Sequence, residues 1–316
     1  MPIDVRKPGL STTIQDRGRE GYYHVGVPPS GALDQFSLVA ANRLVGNPDD
    51  AACLECAYMG PELVFGEDAV VAACGAELEP RVDGEPRPRW ESFAVPAGAT
   101  LSFGHLGGGA RMYLAVAGGI AVPETLGSRS TYALGAMGGL EGRALQAGDS
   151  LPVGAPNGAQ PGAAVPERLW PTFSMELEIR VVMGLYDHLL TDGTFQEATW
   201  TLTPVADRVG FRYKGPELSM LEREQPFGAG SDPSNIVDAP YPIGSIQVPG
   251  GVEPIVLHRD AVSGGGYAMI ATVISADMDA VAQSAPGAKT RFVPVDLEAA
   301  LAARRERSAR LEEVTR

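Results

Sequence analysis

The sequence predicts a mainly β protein of two domains with a few short helices. Three observations carry that expectation. From Ala52 to Val153 the chain is written in short apolar runs divided by Gly and Pro, among them LVF, AVVAAC, SFAV, TLSF, MYLAVAGG and LPV. That spacing belongs to antiparallel strands in a barrel or a sandwich. Residues 152–171, PVGAPNGAQPGAAVPERLWP, hold five Pro and three Gly with almost no apolar period, which reads as a linker near mid-chain. A small-Gly turn leading into a strand recurs at 97–101, 147–151 and 286–290, so the two halves echo each other. The bounds drawn are a β domain over 1–155, a linker over 156–172, a second β domain over 173–296 and a helix over 297–316.

After a short opening strand, the stretch from Pro8 to Asp34 is rich in Gly and Pro, with Gln15, Asp16, Arg17, Arg19, His24 and Asp34 threaded between them. A loop this long inside a domain is either functional or disordered, and Tyr22, Tyr23 and Val25 can anchor it. The competing reading is a packed loop whose polar groups satisfy only the backbone. The first clear helix follows from Asp34 to Val45. Asp34 is a natural N-cap, Leu33 and Leu38 stand at staple positions, and Phe36, Ala40 and Leu44 share a face. Gly46-Asn47-Pro48 stops it. Its positive end can hold an anion or be filled by Asp34 itself. Gly127–Thr131 and Gly138–Arg143 form a second polar, glycine-rich region, read equally well as hairpin turns or as part of a site.

The second half opens with a strand over 177–183, a helix-like segment around 187–192 and hairpin strands at 199–203 and 211–213. Residues 222–234, EREQPFGAGSDPS, read as an exposed loop. Strands at 254–258, 270–274 and 289–295 follow, with Asp277 capping a short helix that ends at Gln283. The Ala-, Arg- and Glu-rich stretch 297–313 reads as a helix, loosely attached.

The 39 acidic against 25 basic residues give a net charge of −14, which argues against nucleic-acid or anionic-membrane partners. No apolar run reaches the roughly 18 residues of a membrane span, and the N-terminus lacks a signal-peptide core. A soluble, cytoplasmic protein is expected. Cys53, Cys56 and Cys74 are an odd number without a second metal-type pair, and read as buried, reduced thiols. No P-loop, dinucleotide fingerprint or G-x-S-x-G occurs, the four His stand alone, and no metal site is expected. What remains is a set of loop and strand residues: Gln15, Asp16, Arg19, Asn235, Asp260, Tyr267, Lys289 and Arg291. Such residues suit recognition of a polar, partly anionic group and stabilisation of charge on an amide, without covalent catalysis.

The motifs Gly9-Leu-x-Thr12-Thr13-x-Gln15-Asp16-x-Gly18-Arg19-x-Gly21-Tyr22, Gly26-Val-Pro28-x-Ser30-Gly31-Ala32-x-Asp34 and Ala41-Asn42-Arg-Leu44-Val45-Gly46-Asn47 closely resemble the opening of the allophanate hydrolase subunit 2 family. The family includes the carboxyltransferase region of urea carboxylase and the C subunit of 5-oxoprolinase. The resemblance runs on through Tyr113-Leu-Ala-Val-Ala-Gly-Gly119, Leu126-Gly-Ser-Arg-Ser-Thr131, Asp207-Arg208-x-Gly210, Gly244-Ser-Ile-Gln247-Val-Pro249 and Gly265-Gly266-Tyr267. It implies two cyclophilin-like β-barrel domains in the larger subunit of a two-subunit, ATP-dependent, amide-processing enzyme. The implied partner is a smaller homologous subunit similar to a kinase inhibitor, and the implied substrate a small polar amide. It also implies ATP bound on the complex or a partner, and biotin only if a separate carrier brings it, since no Met-Lys-Met occurs. Asn235, Asp260, Tyr267 and Arg291 are the implied catalytic positions, with Gln15, Asp16, Arg19, Gln247 and Lys289 on the substrate. Gly184-Leu185-Tyr186 stands where family members often read G-P-Q, which leaves the choice between 5-oxoproline and urea open. A rival reading is a regulatory binding protein that sequesters the smaller partner.

Overall fold

The computed structural model describes residues 2–314, which divide into two compact units. Residues 2–20, 30–173 and 309–314 make the first; residues 21–29 and 174–308 make the second. The short insertion 21–29 therefore belongs to the unit formed by the other half of the chain.

In the first unit the strands are β1 (Pro2–Lys7), β2 (Ser11–Gln15), β3 (Cys53–Ala57), β4 (Glu62–Phe65), β5 (Ala69–Gly75), β6 (Leu78–Val82), β7 (Glu85–Pro86), β8 (Ser92–Val95), β9 (Thr100–Leu106), β10 (Arg111–Val116) and β11 (Ser150–Pro152). They pair as a six-stranded sheet, β11-β1-β4-β9-β6-β7, and a five-stranded sheet, β2-β3-β10-β5-β8. Ile3, Val5, Leu63, Phe65 and Leu101 of the first sheet share one core with Ile14, Leu54, Val71, Leu114 and Val116 of the second. The central strands of the five-stranded sheet are buried on both faces. Leu54 and Cys56, Val71 and Ala73, and Met112 and Leu114 enter that core, while Cys53, Ala72, Cys74, Tyr113 and Ala115 pack with helix α1 (Gln35–Leu44). Double burial is why these strands read as continuous apolar runs instead of alternating ones. Asp34 caps α1 as expected, its Oδ1 accepting from Ser37 N at 2.9 Å.

In the second unit β12 (Glu176–Met183), β13 (Trp200–Ala206), β14 (Gly210–Lys214), β16 (Ser245–Gln247), β17 (Ile255–Leu257), β19 (Met269–Val273) and β20 (Lys289–Pro294) close a barrel in the order β12-β19-β16-β17-β14-β13-β20. The seam joins β12 to β20 in parallel, with Leu177 opposite Thr290 and Ile179 opposite Phe292. Trp200, Phe195, Tyr213 and Phe292 fill its interior, the Phe195 and Phe292 rings stacking at 5.1 Å. A separate ribbon pairs β15 (Asn235–Pro240) with β18 (Gly264–Tyr267).

The mainly β architecture thus holds, with three local corrections. The segment around Asp187 is only a 3-10 turn, Asp187–Leu189. Asp277 precedes α3 (Met278–Ala282) but its carboxylate accepts from Arg180 Nε at 3.0 Å and Nη2 at 2.6 Å instead of capping the helix. Helix α4 (Leu297–Glu312), following the four-residue α2 (Thr194–Glu197), is not loosely held. Within the second unit Arg307 Nε donates to Asp279 Oδ2 at 2.6 Å. Within the first, the buried guanidinium of Arg43 donates to the Leu311 and Val314 carbonyls, satisfying helix-end acceptors.

Candidate functional site

The residues singled out by sequence fall into two groups, one in each unit. In the first unit they form a buried polar hub. Gln15, at the end of β2, donates to Thr131 O at 3.1 Å and accepts from Gly31 N at 3.1 Å. The Asp16 carboxylate accepts from four donors: Gly18 N at 2.8 Å, Ser128 Oγ at 2.7 Å, Ser130 Oγ at 2.5 Å and Arg129 N at 2.5 Å. Arg19, 1% exposed, donates to Ser130 O at 2.5 Å. The two glycine-rich stretches, 15–19 and 127–131, are thereby tied to each other. Gly31 has φ +86°, and a Cβ there would lie 2.7 Å from the Arg17 carbonyl carbon and Gly18 N. Only glycine lets the chain pass that close.

The N–H groups that lead into α1 point inward as well. Ala32 N donates to Asp16 O at 2.9 Å, Leu33 N to Glu55 Oε2 at 2.9 Å, and Asp34 N to Tyr113 Oη at 2.9 Å. Tyr113 Oη in turn donates to Glu55 Oε2 at 2.7 Å, and burial, then the Glu55 charge, push the phenol well above its ordinary range. The positive end of α1 is therefore filled from within the fold. Next to the hub lies a polar cleft of about 350 Å³ bordered by Asp16, Arg17, Glu124, Arg129 and Gly118-Gly119. Arg129 spans its rim, 2.8 Å from Glu124.

The second unit holds the other group. Arg208 Nε donates to Asp260 Oδ2 at 2.8 Å and Nη2 to Oδ1 at 3.2 Å, a two-pronged pair with Asp260 only 5% exposed. Asp260 N also donates to Arg208 O at 3.0 Å. Asn235 and Tyr267 face each other across the β15–β18 ribbon. Tyr241 fixes that ribbon: its hydroxyl donates to Tyr267 O at 2.7 Å and accepts from Tyr267 N at 2.8 Å. Burial raises the pKa of the Tyr241 phenol, which keeps it a donor. From the 21–29 insertion, Tyr23 Oη donates to Tyr241 O at 2.7 Å and approaches Val262 O at 3.2 Å. The Tyr267 side chain stays 43% exposed.

The loop at 222–234 is exposed along most of its length, as expected, and is also anchored beside this ribbon. Arg223 Nη2 donates to Asn235 O at 2.9 Å and Gln225 Nε2 to Asp232 O at 2.9 Å. Their other ends, Arg223 Nε and Gln225 Oε1, are buried without a hydrogen-bond partner. Sequence reasoning overlooked both, and Arg208 too, although the Asp207-Arg208-x-Gly210 motif could have pointed to it.

Two candidates, Arg291 and Lys289, lie apart from Asp260, and Gln247 is on the strand next to the one that leads to it. Arg291 points outward from β20 and pairs with Glu178 at 3.1 Å, while Lys289 on the same face donates to Thr201 Oγ1 at 2.8 Å. In the barrel order β13 and β14 stand between β20 and β17, the strand that leads to Asp260. Gln247 ends β16, in register with Ile255 and Met269. The thiols are buried as expected, and burial pushes Cys56 up to about 12, so none is a thiolate nucleophile near neutral pH. Among the described residues no group of three or more His, Cys, Asp or Glu is placed to hold a metal ion, and no helix is long and apolar enough to cross a membrane.

This geometry matches known proteins along nearly its whole length. The chain is 35% identical to the C subunit of 5-oxoprolinase from Escherichia coli, over 99% of this chain and 97% of that protein. It is also 35% identical to the urea amidolyase of Lachancea kluyveri, over 98% of this chain but 18% of that one, so it spans about a fifth of such a protein. The crystal structure of the Kluyveromyces lactis urea carboxylase superposes with a TM-score of 0.93 at 34% identity, over 99% of this chain and 29% of that chain. Residues 25–294 match the family model described as the carboxyltransferase domain, subdomain A and B, and the chain belongs to that family.

Proposed function

We propose that the chain is the larger of the two subunits of an ATP-dependent cytoplasmic enzyme that acts on the C–N bond of a small polar amide, of the 5-oxoprolinase or urea carboxylase type. The observation that carries this reading is its 35% identity to the C subunit of a 5-oxoprolinase over 97% of that protein. The chemistry is assigned to the second unit. Tyr267 and Asn235 offer a phenol and a carboxamide on one ribbon, and Asp260, held by Arg208, supplies a fixed charge. A group positioned against charge that develops in the transition state is worth about 3–4 kcal/mol.

Arg223 Nε and Gln225 Oε1, a buried donor and a buried acceptor left over, have the complementarity that an amide, urea or biotin's ureido ring requires. Biotin, brought by a separate carrier protein, would supply a transferable carboxyl group. ATP is a substrate of the assembled complex, which is completed by a smaller homologous partner of the kinase-inhibitor type. In this reading Gln15, Asp16 and Arg19 hold the first unit together.

The test is reconstitution with the smaller partner, with and without a biotin carrier, followed by ATP hydrolysis in the presence of 5-oxoproline or urea. Substrate-dependent turnover is expected with one of the two. Silence with every partner present would remove the enzyme reading.

A further inference from the structure

The outer face of the barrel carries a row of polar residues that the proposed reaction does not use. Strand register sets Lys214 of β14 beside Thr201 of β13, Thr201 beside Lys289 of β20, and Lys289 beside Glu176 of β12. Neighbours of this kind have Cβ atoms about 5 Å apart. In a chain of 39 acidic and 25 basic residues, a lysine next to a glutamate should pair with it. Lys289 does not. Its ammonium leans the other way and donates to Thr201 Oγ1 at 2.8 Å, towards the second lysine of the row. The exposed ammonium of Lys214 has no ion pair or hydrogen bond among the described residues. Two cations thus flank one hydroxyl, from the strands on either side of β13.

The space beside the row has room for an anion. A hollow of about 700 Å³ is bordered by Thr199, Thr201, Thr203, Lys214 and the Pro286-Gly287 turn, and not one of its bordering residues is acidic. Thr199, Thr201 and Thr203 stand at alternate positions, so the strand's period of two puts their hydroxyls on one face. The three threonine hydroxyls and the Lys214 ammonium therefore border the hollow beside Leu202, Pro204 and Pro286, and Lys289 reaches it through Thr201 Oγ1.

We propose that this hollow binds a phosphate-type oxyanion, seated between Lys214 and Lys289 over Thr201. A phosphate neutralises both cations and has enough oxygens to accept from two ammonium groups and the threonine hydroxyls together. A carboxylate has two oxygens in one plane and meets fewer of them. The site stands on the register and the hollow, independently of the reaction assigned to the ribbon.

Titration calorimetry on the full chain tests it, with inorganic phosphate, ATP and acetate as separate probes, on the wild type and on Lys214→Gln, Lys289→Gln and the double variant. Both lysines are exposed, so the melting temperature should not move. The expected result is saturable phosphate binding that weakens about tenfold with each substitution and falls with added salt. ATP binding tighter than phosphate and lost in the double variant supports the site and identifies a nucleotide's phosphate. Equal binding of the two supports it and identifies free phosphate. No saturable binding of either probe, binding unchanged in the double variant, or acetate bound as tightly as phosphate would overturn the proposal.

Discussion

The hub of the first unit and the ribbon of the second are made from the same materials, polar side chains on glycine-rich segments, yet they do opposite things with them. In the hub the polar groups are consumed. Gln15 accepts from Gly31 N, the Asp16 carboxylate accepts from Gly18 N, Arg129 N and two serine hydroxyls, and Arg19 donates to Ser130 O, all within the same unit. On the ribbon the backbone is satisfied by strand pairing and by the Tyr241 hydroxyl. Tyr267 is therefore left to face outward, and the ends of Arg223 and Gln225 remain unspent. Polarity on a loop marks a place where hydrogen bonds are needed. Whether they serve the fold or a ligand depends on what the backbone has already taken.

That contrast can be broken experimentally, and the largest effect is expected in the hub. Asp16→Ala strands four donors inside the first unit and should cost about 3–5 kcal/mol in chemical denaturation. Gly31→Ala is next. The left-handed backbone and the 2.7 Å approach to the Arg17–Gly18 peptide should together cost about 2–3 kcal/mol in the same assay.

On the ribbon, Tyr241→Phe removes only the hydroxyl that grips Tyr267 and should cost about 1 kcal/mol. Its effect on kcat of the reconstituted enzyme should exceed that loss, since the phenol of Tyr267 is no longer positioned.

The smallest effect is electrostatic and lies outside both regions. The Arg143 guanidinium, donating at 2.8 and 2.9 Å, holds the Asp149 carboxyl below its usual value. Its stabilisation is fully present above the unfolded carboxyl's pKa of about 3.9 and fades as pH falls through the lower folded value. Asp149→Asn should lower stability by less than about 1 kcal/mol near neutrality. The gap from wild type should close in melts at progressively more acid pH.

Much of this was legible in the amino-acid sequence. The apolar runs located the strands of the first unit, and Asp34, Leu33 and Gly46 bracketed α1. What escaped had physical causes. The ribbon strand Gly264–Tyr267 is three glycines and a tyrosine, with no alternation to detect. The parallel seam joins residues more than a hundred positions apart, and local pattern carries no trace of it. Gly21–Pro29 reads as part of one loop but divides with the other unit, held there by Tyr23. Arg208 stands in a recognisable motif, yet its importance depends on a partner 52 residues on. Arg291 and Lys289 stand out by their charge, and the period of two turns both onto the outer wall of the barrel.

The most direct measurement of the central claim is kcat per folded molecule, with the melting temperature, for Tyr267→Ala and Asp16→Ala in the reconstituted complex. The ribbon is assigned to chemistry and the hub to the fold. Tyr267→Ala should therefore melt like the wild type and lose most of its turnover, while Asp16→Ala should melt earlier with near-normal kcat in the fraction that stays folded. Full turnover in Tyr267→Ala, together with a stable but inactive Asp16→Ala, would contradict the account and move the site to the cleft beside Asp16.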